Sequence, residues 1–116
     1  MNVVAKLSAV LLLSLASSFV IAADGDKEFE PSVGQAGKDV VWVPTPPMLV
    51  EKMLDAAKVT AKDFVMDLGS GDGRNIIAAA KRGARARGVE YNPDMVALSR
   101  RNAERAGVAE IGRAHV

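Results

Sequence analysis

The stretch Val65-Met66-Asp67-Leu68-Gly69-Ser70-Gly71-Asp72-Gly73-Arg74, followed by Gly88-Val89-Glu90-Tyr91-Asn92-Pro93, decides the fold. Residues 64–68 are a mostly apolar run that enters three glycines at alternate positions, and helical periodicity begins at about Asn75. That order predicts a buried parallel strand, a tight turn and a helix start. Glycine suits such a turn because the chain must reverse within a few residues through unusual backbone angles. A side chain would also keep a ligand away from the backbone. A second apolar segment, 86–89, ends in Glu90. In doubly wound sheets an acid at the tip of the second strand accepts hydrogen bonds from the two ribose hydroxyls, about 20 residues beyond the glycine turn. The distance from Gly69 to Glu90 fits, and the layout is that of a nucleoside-cofactor site.

Two cofactor classes use this layout. The dinucleotide fingerprint is G-x-G-x-x-G/A, with a pyrophosphate at the helix N-terminus. Here the third glycine arrives one residue early, and Arg74 stands where that fingerprint has glycine or alanine. Asp67 lies two residues before the first glycine, where its carboxylate would repel a pyrophosphate but suits a ligand with an amino group or a sulfonium. The pattern favours S-adenosylmethionine over NAD.

Val65-x-Asp67-x-Gly69-x-Gly71-x-Gly73 resembles motif I of the class I, seven-β-strand methyltransferases, and Val89-Glu90-Tyr91-Asn92 resembles their acidic loop after the second strand. The resemblance covers roughly residues 41–108 and implies a Rossmann-like α/β fold with S-adenosylmethionine as cofactor. It implies that Gly69 and Gly71 approach the cofactor, that Asp67 organises its amino-acid end, that Glu90 holds the ribose, and that Tyr91 lies near the adenine. The string from Asp67 to Arg74, with Val43-Pro44-Thr45-Pro46 upstream, is also similar to a subgroup that includes protein-lysine methyltransferases. A protein lysine is then the implied methyl acceptor. Each piece also has a plainer reading: Glu90 as a solvated carboxylate, Tyr91 as a packing residue, Arg74 as a first-turn helix residue.

The chain has 116 residues and a formal net charge of +1, which allows one small domain and gives no global polyanion signal. A local basic excess (Lys81, Arg82, Arg85, Arg87, Arg100, Arg101, Arg105) reads as solvated faces, since no aromatic residues interleave it for base stacking. A protein acceptor is therefore favoured over nucleic acid. Cysteine is absent and His115 is the one histidine, so no metal site, disulfide or thiol nucleophile is expected.

Residues 1–22 read as a signal peptide: Lys6 precedes an apolar stretch, and Val20 and Ala22 supply small residues before cleavage after Ala22, with Ala23 as the neighbouring site. The alternative is an uncleaved membrane anchor. The domain is then expected to be exported, periplasmic or secreted, or else membrane-anchored. An exported domain sits uneasily with a cofactor made in the cytoplasm. Residues 23–41 read as a polar arm. In the resembling family the chain just before the first helix closes over the cofactor. Residues 42–45 therefore read as part of a lid, or Trp42 packs beneath the sheet edge.

Helices are predicted from Thr45-Pro46-Pro47, with Thr45 as hydroxyl cap, over 75–82, and from Asn92-Pro93 to Gly107. Met95 and Leu98 read as core. Residues 42–109 thus form a partial methyltransferase domain, the N-terminal part of a doubly wound sheet with two strands and three helices. The family's acceptor and catalytic loops follow later strands, so no catalytic residue is named and the fragment is expected to be inactive alone. Gly112, Arg113 and His115 make residues 110–116 a poor strand, and in one reading frame this tail matches the translation of a common sequencing adapter, so it is read as non-native. Two other functions remain open: an NAD-type dinucleotide enzyme, and a secreted cofactor-binding or scaffold module without catalysis.

Overall fold

A computed structural model of the chain describes residues 27–109 and the backbone of residues 114–115. The expected leader, the first residues of the arm, and residues 110–113 and 116 lie outside the described residues. Three helices, α1 (Pro47–Ala56), α2 (Arg74–Lys81) and α3 (Pro93–Arg105), alternate with strands β1 (Phe64–Leu68), β2 (Arg85–Val89) and β3 (Ala114–His115). The strands form one parallel sheet in the order β1-β2-β3, with Phe64 opposite Arg85 and Leu68 opposite Val89. Both strand tips therefore end side by side, and the loops that follow them share one rim of the sheet.

The sequence reading expects two strands and a tail that builds none. Instead Ala114 and His115 pair with Ala86 and Arg87 as a two-residue third strand. Strand pairing is made by backbone N–H and C=O groups, which the free edge of β2 offers to any extended segment whatever its side chains.

Alternation places Ala86 and Gly88 under the helical layer. Alanine and glycine let α2 approach the sheet closely: a Cβ at Gly88 would fall 3.1 Å from the Ile76 Cδ1 atom. Ile76, Ala79, Ala80, Ala84 and Ala86 form the centre of the core, with Val50 and Leu54 of α1 added at helical spacing. Leu49 and Met53, expected on the packed face of α1, are each 48% exposed, so the contact stripe of that helix is narrower than its apolar pattern. The opposite face of the sheet is open among the described residues and carries Phe64, Met66, Leu68 and Val89.

The helix ends follow local chemistry. Asn92 caps α3, its side chain accepting from the Asp94 and Met95 backbone N–H groups, and Pro93 begins the helix with a preset φ. At α1 the cap is Pro46, with no side-chain bond, so Thr45 does not act as a hydroxyl cap. Its backbone carbonyl instead accepts from the Arg74 guanidinium at 2.8 Å.

Candidate functional site

The site forms where β1 and β2 end. Beyond Leu68 the chain turns through Gly69, Gly71 and Gly73, with φ of +81°, +53° and +83°. These left-handed angles are the physical reason for the alternate glycines. Gly69 and Ser70 both donate backbone N–H bonds to the Val89 carbonyl, at 2.7 and 3.0 Å, so the turn is fastened to the tip of β2.

Glu90 completes that fastening. One carboxylate oxygen accepts the Gly71 N–H at 2.8 Å and the other accepts the Asn92 N–H at 2.9 Å. The acid that the sequence assigns to the ribose therefore also braces the glycine turn, and each oxygen keeps a lone pair for a ligand hydroxyl. Asp67 lies one residue before the end of β1, on the helix side, and accepts from the Asn75 side-chain amide at 3.0 Å. The sequence reading does not single out Asn75. Its place in the first turn of α2, one turn above Asp67, is the signal that could have found it.

The structure brings Asp67, Gly69, Gly71 and Glu90 to one rim. Gly69 is open: an added Cβ would meet nothing within 4 Å. Gly71 is covered, since a Cβ there would lie 2.8 Å from the Trp42 indole nitrogen. The indole therefore sits on the glycine turn and not beneath the sheet edge. Tyr91 is 74% exposed, with the Lys38 ammonium 4.5 Å from its ring centre.

Beside the turn, Asp72 and Arg74 pair at 2.6 Å, and the Asn102 amide donates to the Asp72 carbonyl at 3.0 Å. The Asp72 carboxylate raises the Arg74 pKa above its ordinary value, outweighing the opposing effect of partial burial. Arg74 is thus more than a first-turn helix residue: it ties the turn to the segment before α1. A helical groove of about 490 Å³ opens nearby, lined by Val50, Asp72, Arg74, Ile77, Asn102 and Ala106 among others. It lies between helices and away from Asp67 and Glu90, so it is not the cofactor cleft. Among the described residues no group of acids or histidines could hold a metal ion, and no helix is long and apolar enough to cross a membrane.

Charge and donor supply decide what this rim can hold. The backbone N–H groups of residues 69, 70, 71 and 73 are all bonded within the protein, so they do not form an anion cradle. Three carboxylates, Asp67, Asp72 and Glu90, surround the turn. Such a rim accepts hydroxyl and cationic groups and disfavours a pyrophosphate.

A family model described as a methyltransferase domain matches residues 65–115. A protein-lysine N-methyltransferase of Saccharolobus islandicus is 47% identical over 79 residues, covering 66% of this chain and 48% of the relative. A human ATP synthase lysine N-methyltransferase is 41% identical over 70 residues, covering 59% of this chain and 30% of the relative. The chain thus spans about half or less of the length of these relatives. Among solved structures, an RNA methyltransferase of Salinibacter ruber in complex with S-adenosyl-L-homocysteine is 49% identical, with a TM-score of 0.60 over 63% of this chain and 47% of that one. A methyltransferase of Thiobacillus denitrificans, also in complex with S-adenosyl-L-homocysteine, is 28% identical, with a TM-score of 0.56 over 60% of this chain and 28% of that one. With the parallel β1-turn-α2-β2 unit and the acid at the tip of β2, residues 65–115 are part of a Rossmann-like methyltransferase domain of class I.

Proposed function

We propose that this chain supplies the S-adenosylmethionine-binding part of a methyltransferase that acts on a protein lysine. The observation that carries the cofactor reading is the Glu90 carboxylate, held at the tip of β2 by the Gly71 and Asn92 N–H groups, beside an open Gly69 and a turn with no free amides for phosphate. When bound, the cofactor supplies a sulfonium-borne methyl group to an attacking nucleophile. Glu90 would hold the ribose hydroxyls, Asp67 would orient the amino-acid end, directly or through water, and Gly69 would admit the ligand to the backbone. Tyr91, exposed beside Glu90, would flank the adenine. Catalysis by such a domain is largely orientation and desolvation of the reacting centre.

The lysine acceptor is supported by the names of the sequence relatives and by the 47% identity to the first of them. A second reading, an RNA acceptor, is favoured by the 49% identity to the Salinibacter ruber RNA methyltransferase. Calorimetry of the full-length protein with S-adenosyl-L-homocysteine and with NAD tests the cofactor, and transfer of labelled methyl groups to protein or RNA tests the acceptor. Binding of NAD alone would restore the dinucleotide enzyme, and binding of neither would favour a scaffold module. The apolar N-terminal stretch supports export of the domain, with membrane anchoring as the alternative. An N-terminus at Ala23 or Asp24 in the mature protein supports cleavage, whereas an intact Met1 in a membrane fraction supports the anchor.

A further inference from the structure

The segment before α1 is fastened across the mouth of the cleft at three points. Within it, the Gly34 N–H donates to the Trp42 carbonyl at 2.8 Å, and the Trp42 N–H donates to the Gln35 carbonyl at 2.9 Å. These paired bonds close a small loop and fix the backbone of Trp42. The loop touches the domain through Lys38 on the Tyr91 ring, through Trp42 on Gly71, and through the Thr45 carbonyl on Arg74. All three partners belong to, or directly follow, the two loops that form the cofactor rim.

The contact at Gly71 divides the rim. The Trp42 indole leaves no room for a ligand against Gly71, while Gly69, two residues earlier, faces open space. The indole is thus a wall standing beside the open part of the cleft. Its Nε1–H has no acceptor among the described residues, although an indole N–H usually finds one when it is covered.

We propose that residues 34–45 form a cofactor-covering strap in which Trp42 is a binding residue: its indole packs on the bound ligand and its Nε1–H donates to a ligand acceptor. The strap rests on the S-adenosylmethionine reading above and adds to it the residue that closes the site. Lys38 and Arg74 act through the strap by holding its two ends. An indole is suited to both tasks, as a large flat apolar surface with one donor at its edge.

Trp42 is the single tryptophan of the sequence, so its emission reports the strap directly. The test titrates S-adenosyl-L-homocysteine into the full-length protein, following heat and tryptophan emission together. Emission should change saturably with the calorimetric midpoint. Trp42→Ala should raise Kd by about tenfold, the loss of one aromatic packing surface. Trp42→Phe, which keeps the surface and removes the donor, should raise it roughly threefold. Heat of binding with unchanged emission, together with a Trp42→Ala variant that binds like the parent, would overturn the strap and leave the cofactor reading standing. Absence of any heat would overturn the cofactor reading and the strap with it. The emission arm needs no substitution, so a variant that fails to fold does not shelter the proposal.

Discussion

Glu90 and Gly71, 19 residues apart in sequence, are joined by a 2.8 Å hydrogen bond from the glycine N–H to the carboxylate. The bond makes the ribose-holding acid and the turn it faces one rigid unit. It also gives Glu90 two roles, so its removal should disturb both ligand and loop. Glu90→Ala should weaken S-adenosyl-L-homocysteine binding by about 1.5–3 kcal/mol, the scale of charge-assisted hydrogen bonds. Glu90→Gln, which keeps an acceptor for Gly71, should lose less. Calorimetry on variants with unchanged circular dichroism measures this, and an unaltered Kd in folded Glu90→Ala removes the ribose role.

Gly73 meets two constraints at once: a φ of +83°, and the Ser99 hydroxyl where a Cβ would stand. Ser99 is fully buried in α3 and cannot swing into solvent without unpacking that helix. Gly73→Ala should therefore cost at least the roughly 1–3 kcal/mol of a side chain held in the left-handed region. Urea unfolding with an unchanged midpoint would contradict the geometry.

Ile76 is fully buried where α2 meets the sheet, its Cδ1 atom against Gly88. Ile76→Ala would leave a cavity ringed by alanines, which have no side-chain length with which to fill it. A loss of about 2–5 kcal/mol is expected in denaturant unfolding. A loss below that range would mean that the layers close over the gap.

The turn before β1 offers a pH test. Asp63 accepts from the Thr60 N–H at 2.7 Å and the Thr60 hydroxyl at 3.0 Å, and these bonds hold its carboxyl below its ordinary value of 3.8. A depressed carboxylate contributes stability above its unfolded pKa and loses that contribution as pH falls through the lower folded value. The benefit is thus complete at neutral pH and disappears only in acid below 3.8. Carboxyl NMR should show Asp63 titrating under that value, and Thr60→Val, which removes the hydroxyl donor, should move the midpoint upward.

The sequence by itself determined the β1-turn-α2-β2 unit, because its signals are local. Alternate glycines are needed wherever the chain takes left-handed angles, as it does at 69, 71 and 73. Asn92-Pro93 caps and starts a helix through bonds to its own next residues. The grouping of Asp67, Gly69, Gly71 and Glu90 follows from two parallel strands ending together, which their spacing already implies. Tertiary structure alone decided the rest. Trp42 finds Gly71, Lys38 finds Tyr91 and Arg74 finds the Thr45 carbonyl through contacts between distant segments, for which an apolar or charged residue carries no address. Asn75 becomes a partner of Asp67 only because the turn folds α2 back over the end of β1. The short β3 could not be read from side chains, since backbone groups on the free edge of β2 make that pairing.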